Sequence, residues 1–100
     1  MLQLACWNIH GFHVDKINEV LANNNYDIFG IVESWTSGES NISLPGYSHI
    51  TVHATKAKGK RGRRSGGIII YYKKEFSSLN IISKVITTKD YIWIKLNKIP

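Results

Sequence analysis

An α/β chain in which sheet outweighs helix is predicted by three features of the sequence. Two dense runs of strong β-formers, Ile68-Ile69-Ile70-Tyr71-Tyr72 and Tyr91-Ile92-Trp93-Ile94, concentrate branched and aromatic side chains that suit a pleated, half-buried surface. Val14, Ile17, Val20 and Leu21 recur at the three- and four-residue spacing of a single helical face. That helix lies between two short apolar segments, Leu2 to Trp7 and Asp27 to Val32, which makes a strand–helix–strand unit with parallel strands.

The elements follow in order. Leu2 to Trp7 is apolar except for Gln3, and Asn8 with Gly11 shortly after marks a strand leaving into a turn. The helix from Val14 ends at Asn23-Asn24-Asn25, where asparagine tolerates a left-handed cap. Asp27 to Val32 is too short for a helix of its own and is bounded by polar residues, so it is the second strand. Beyond Trp35 the sequence Thr36-Ser37-Gly38-Glu39-Ser40-Asn41 is a polar loop, and Leu44-Pro45-Gly46-Tyr47 is a turn into a strand that runs through about Val52. The basic stretch Lys56 to Arg64 leads through Gly66-Gly67 to the strand Ile68 to Tyr72, so these two strands form a long hairpin, and further strands lie near Ile81–Thr87 and Tyr91–Leu96. There are no repeats and no interdomain linker, and by length alone residues 1–100 would be one small domain.

Composition narrows the function classes. A hydrophobic fraction of 43% with 20% charged residues belongs to a chain that buries a core, which excludes a disordered tail. Thirteen Lys and Arg against seven Asp and Glu give a net charge of +6, a field that favours polyanionic partners such as nucleic acid or an acidic membrane surface, and charge alone does not choose between them. One cysteine excludes a disulfide framework, and Cys6, within an apolar stretch, reads as a small buried thiol. No apolar run has the length of a membrane span, and a strand beginning directly after Met1 leaves no room for a signal peptide, so an intracellular protein is expected. Asn41-Ile42-Ser43 fits a glycosylation acceptor, but without a secretory signal it is loop composition.

A right-handed strand–helix–strand crossover brings the ends of both strands to one edge of the sheet, so Asn8 and Glu33 emerge together and can face one cleft. Sites of open sheets lie outside the carboxyl ends of strands, and Mg²⁺ is held by one or two carboxylates together with waters and phosphate oxygens. Glu33 suits that role, and the Asn8 amide can position a metal-bound water or a phosphate oxygen without adding negative charge. Taken singly, neither residue argues for chemistry: asparagine often terminates a strand, and a glutamate after an apolar run is usually its first solvated residue.

The pair gains weight from its context. Leu4-Ala5-Cys6-Trp7-Asn8-Ile9-His10-Gly11, then a helix, then Tyr26-Asp27-Ile28-Phe29-Gly30-Ile31-Val32-Glu33-Ser34-Trp35, resembles the first two motifs of the endonuclease/exonuclease/phosphatase superfamily. Leu44-Pro45-Gly46-Tyr47 and Arg63-Arg64-Ser65-Gly66-Gly67-Ile68-Ile69-Ile70-Tyr71-Tyr72 resemble the next segments of its retrotransposon-type, abasic-endonuclease-like members, so the similarity covers nearly the whole chain. The resemblance implies part of a four-layer α-β-β-α sandwich and a Mg²⁺-dependent phosphodiesterase, with Mn²⁺ as a substitute, acting on DNA as the endonuclease of a LINE-type retrotransposon. It assigns Asn8 to orienting the metal site or scissile phosphate and Glu33 to the divalent ion that stabilises charge on the phosphodiester oxygens. His10 stands where some abasic-site endonucleases carry an acidic residue and many retrotransposon-type members do not, so it reads as a turn residue outside the metal set. His13, His49 and His53 have no metal-ligand spacing and read as surface residues.

The chain departs from the family by omission. The catalytic tyrosine, the Asp-x-Asn segment and the final Asp-His pair of the family lie beyond the position corresponding to Pro100, which implies an N-terminal fragment, inactive alone and marginal in folding. An isolated fragment would expose an apolar face and unpaired strand edges. Lys56, Lys58, Lys60, Arg61, Arg63 and Arg64 concentrate charge in one connector, interrupted by Gly59 and Gly62, and by the resemblance this connector contacts nucleic acid. A solvated loop and a nuclear-import signal are the other readings of the same run. Trp35 and Tyr47, as aromatic residues beside strands, read as core or rim packing, with base stacking or lining of the cleft as the alternative. A non-catalytic nucleic-acid-binding remnant and a phosphatase or sphingomyelinase-like member are the alternative functions.

Overall fold

The structure, a computed structural model, describes residues 2–37, 40–54 and 66–97. Among these residues the order is β1 (Leu4–Asn8), α1 (Val14–Asn23), β2 (Ile28–Val32), β3 (Tyr47–Val52), β4 (Ile68–Lys73), α2 (Lys74–Ser78), β5 (Ile82–Thr87) and β6 (Ile92–Leu96). The result is a β-rich α/β fold with two sheets and two helices. One sheet has the order β1-β2-β4-β3, and β5 pairs separately with β6. β1 and β2 are parallel, joined by α1, while β4 runs antiparallel to both β2 and β3. The pairing of β3 with β4 is that of the expected hairpin, and its connector, with Lys56, Lys58, Lys60, Arg61, Arg63 and Arg64, lies outside the described residues.

Alternation along the strands sorts side chains onto two faces. On one, Phe29, Ile31, Ile69 and Tyr71 are buried with Ile17 of α1 and with Ile42 and Leu44 from the loop before β3. Phe29 is the centre of an aromatic group, stacked on Trp7 at 5.5 Å and on Tyr71 at 4.9 Å and meeting Tyr47 edge-on at 5.1 Å. Full burial of a side chain such as Phe29 contributes roughly 1.5–3 kcal/mol, and the half-buried Trp7 and Tyr47 contribute less. Two phenols tie loops to this core: Tyr71 donates to the Ile42 carbonyl at 2.6 Å and Tyr47 to the Tyr26 carbonyl at 2.7 Å. Burial pushes the Tyr71 hydroxyl far above its ordinary range, so it stays a neutral donor.

On the other face, Ile28, Ile70 and Tyr72 pack with Phe76, Ile81, Ile94 and Leu96. The β5–β6 hairpin therefore covers the side of the sheet opposite α1, giving the stacking order helix, sheet, hairpin. The register between β5 and β6 shifts between Ile82 and Lys84. Large apolar side chains remain in water: Leu4 is 61% exposed, Tyr91 53% and Trp93 48%. No described helix is long and apolar enough to cross a membrane.

Three local expectations change. Cys6 is exposed, because Ala5 and Trp7 take the core-facing positions of an edge strand and leave Leu4, Cys6 and Asn8 on its other face. The buried stripe of α1 is narrower than the spacing implied: Ile17 is fully buried while Val14 is exposed at the first turn. Nor does α1 end in a left-handed cap; Asn24 is extended, with φ −142°, and its N–H donates to the Leu21 carbonyl at 3.4 Å. The short helix α2, Lys74–Ser78, has too few residues to show a period in the sequence, although its one buried residue, Phe76, anchors the second cluster.

Candidate metal-binding edge of the sheet

The parallel crossover sets the geometry of the site. Asn8 stands opposite Val32 across the β1–β2 ladder, and Glu33 is the next residue, so both emerge at the carboxyl edge. Ladder bonding continues past the strands: Ile9 N–H donates to the Val32 carbonyl at 3.0 Å, Gly11 to Glu33 at 2.7 Å and Phe12 to Ser34 at 2.7 Å. From the other side Ser34 N–H donates to the Gly67 carbonyl at 3.3 Å and Trp35 N–H to that of Gly66 at 3.0 Å, while Ala54 N–H donates to Thr36 at 2.9 Å. Four segments are thus stitched together around Glu33.

The backbone here departs from ordinary conformations. His10, Glu33 and Trp35 have φ of 50°, 57° and 55°, values that L side chains adopt rarely, and each costs on the order of 1–2 kcal/mol. Such conformations persist where the surroundings over-determine them, as the bonds above do. Two glycines make the close approaches possible. A Cβ on Gly11 would meet the Trp35 ring, and one on Gly67 would collide with the Ser34 hydroxyl. Ser34 and Thr36 are buried, and their hydroxyls bond each other at 3.3 Å, with Thr36 Oγ1 also 3.3 Å from His53 Nδ1.

Among the described residues, one side chain holds Glu33. Trp35 Nε1–H donates to Glu33 Oε2 at 2.8 Å, and the other carboxylate oxygen has no partner among the described residues. Glu33 lines an opening of about 230 Å³ together with Gly66, Gly67, Lys89 and Asp90. Asn8 Oδ1 accepts the N–H of His10 at 3.0 Å. That bond fixes which way the amide points, since only its oxygen can accept, and leaves the exposed NH₂ group as a donor. Asn8 and Glu33 share the edge, but the opening at Glu33 is completed by the β5–β6 turn and not by Asn8.

Other sequence candidates separate cleanly. His10 occupies the turn after β1. His49 meets Tyr71 edge-on at 5.9 Å, and Tyr47 belongs to the aromatic core. Trp35, read from the sequence as packing, is bonded to the Glu33 carboxylate, and Lys89 and Asp90 reach the same opening from a turn far along the chain. Nothing in local sequence announces either relationship. Among the described residues no group of three or more His, Cys, Asp or Glu side chains gathers to hold a metal.

Comparison with the sequence models of known families matches residues 5–96 to the one described as the Endonuclease/Exonuclease/phosphatase family. The chain belongs to the endonuclease/exonuclease/phosphatase family. No curated protein and no solved structure matches it. Membership places it in a superfamily of metal-dependent phosphodiesterases and nuclease-like hydrolases, whose members generally depend on a divalent cation. The donor set fits that requirement. The Glu33 carboxylate, with one oxygen unbonded among the described residues and Asp90 lining the same opening, suits a hard cation that keeps several waters and takes further oxygens from a phosphate.

Proposed function

We propose that this chain is the N-terminal part of a Mg²⁺-dependent DNA endonuclease domain of a LINE-type retrotransposon, inactive by itself. The observation that carries the reading is the placement of Glu33 and Asn8 at the carboxyl ends of adjacent parallel strands in a member of this family. Glu33 is proposed to hold the cation through the oxygen that has no partner among the described residues, with Mn²⁺ able to replace Mg²⁺. The cation, when bound, supplies positive charge against the phosphodiester oxygens. The Asn8 NH₂ group donates to a phosphate oxygen and so orients the scissile group without adding negative charge.

Lys58, Lys60, Arg61, Arg63 and Arg64, with Lys56, track the DNA backbone, which would set the protein to work in the nucleus. The sequence contains no Asp-x-Asn and no Asp-His pair, so groups that would complete proton transfer and leaving-group departure are not among these residues. The test is to incubate the purified chain with labelled duplex DNA in Mg²⁺ or Mn²⁺ across a range of salt. Binding should appear without cleavage, with a log–log salt slope of about −0.9 per phosphate neutralised, flattened by Arg63→Ala with Arg64→Ala. Robust cleavage lost in Glu33→Gln would overturn the inactive reading, and salt-insensitive binding would overturn the DNA contact.

A further inference from the structure

The Glu33 carboxylate forms no ion pair with any described residue, and its only described partner is an indole. A carboxylate on a two-carbon stem samples several rotamers, and ordering it on binding a cation costs conformational entropy. The Trp35 N–H removes that freedom at one oxygen, at 2.8 Å, and the other oxygen has no partner among the described residues. The donor is itself fixed. Its ring lies against Gly11, where a Cβ would come within 2.7 Å of the indole, and its backbone N–H is bonded to Gly66 at 3.0 Å. Both Glu33 and Trp35 keep left-handed φ values that relaxation of the loop would release. A loop that bears this strain, and the glycine at position 11 that leaves room for the ring, maintain one arrangement of indole and carboxylate.

We propose that Trp35 is the positioning residue of this edge: its indole N–H holds Glu33 in the rotamer that presents one oxygen to a divalent cation. The proposal rests on the reading of Glu33 as a cation ligand. Partners that orient a ligating carboxylate typically change metal affinity by about 10–100-fold when removed. Phenylalanine at position 35 would fill part of the space beside Gly11 and lose the donor. A benzothienyl side chain would keep the ring shape and replace only the N–H by sulfur, which separates packing from hydrogen bonding.

The experiment uses the full ¹⁵N-labelled chain, with Mn²⁺ as a paramagnetic probe sensitive to millimolar binding. Mn²⁺ should broaden the amide signals of Glu33, Ser34 and Gly67, and Glu33→Gln should abolish this. Trp35→Phe, and the chain carrying benzothienylalanine at position 35, should need about tenfold more Mn²⁺ for the same broadening, their other signals staying dispersed. Independently of metal, Glu33→Ala should move the Trp35 indole proton signal upfield, as expected on loss of a charged acceptor. If the benzothienyl chain responds at the wild-type Mn²⁺ concentration while Glu33→Gln is silent, Trp35 has no positioning role and the ligand reading stands. An indole signal unmoved by Glu33→Ala also overturns the proposal. If wild type and Glu33→Gln broaden alike, or neither does, the ligand reading fails and takes the proposal with it.

Discussion

Gly11 and Trp35 touch so closely that a methyl group on Gly11 would stand 2.7 Å from the indole carbon Cε3 and 3.0 Å from Cζ3. Gly11 also has φ 98°, where an L side chain is strained whatever the space around it. Gly11→Ala should therefore destabilise the fold by about 2–3 kcal/mol, combining overpacking with backbone strain. It should also displace the indole. Urea unfolding followed by far-UV circular dichroism measures the first effect, and the Trp35 indole signal the second. An unchanged midpoint would mean that the turn relaxes freely and does not clamp the ring.

Gly67 and Gly46 form a controlled pair. Both have positive φ, 96° and 82°, but a Cβ on Gly67 would strike the buried Ser34 hydroxyl and come within 3.3 Å of two backbone nitrogens, whereas one on Gly46 meets nothing within 4 Å. Gly46→Ala should cost only the conformational part, about 1 kcal/mol. Gly67→Ala should cost at least about 1–2 kcal/mol more, because the Ser34–Thr36 contact must shift as well. Equal costs measured by denaturant titration would show that the crowding at Gly67 is relieved without energy.

These glycines mark where the sequence stops being legible. Periodicity identified α1, and β-former runs identified all six described strands to within a few residues, because both signals are local. The crossover rule placed Asn8 and Glu33 at one edge, since a single helix between two parallel strands leaves little choice of topology. What completes the edge is not local. Lys89 and Asp90 reach Glu33 only through the fold of the β5–β6 hairpin over the sheet, and Trp35 becomes a donor to Glu33 only because two left-handed residues and a glycine from another turn meet. Cys6 misled for a related reason: an apolar run predicts a strand but not which face of an edge strand is covered.

At the opposite end of the sheet, acid should act through Asp27. Its Oδ2 accepts the Gln3 N–H at 2.7 Å and its Oδ1 lies 3.1 Å from Lys73 Nζ, tying the start of β2 to the segment before β1 and to the end of β4. The Gln3 backbone donor, with the Lys73 ammonium beside it, holds the carboxyl below its ordinary value of 3.8 despite the opposing cost of burial. A group whose pKa is depressed by folding contributes stability that is complete well above the unfolded value. That contribution drains away as the pH falls through 3.8 toward the lower folded value. Asp27→Asn keeps an acceptor for Gln3 but removes the charge, so at pH 7 it should lower stability by about 0.5–1 kcal/mol, the scale of a partly exposed ion pair. The difference between the two proteins should shrink below pH 3.8 and vanish near the pH at which folded Asp27 is protonated. Denaturant midpoints of both proteins at several acid pH values measure this directly. A gap that stays constant with pH would assign the loss to altered hydrogen bonding and not to charge.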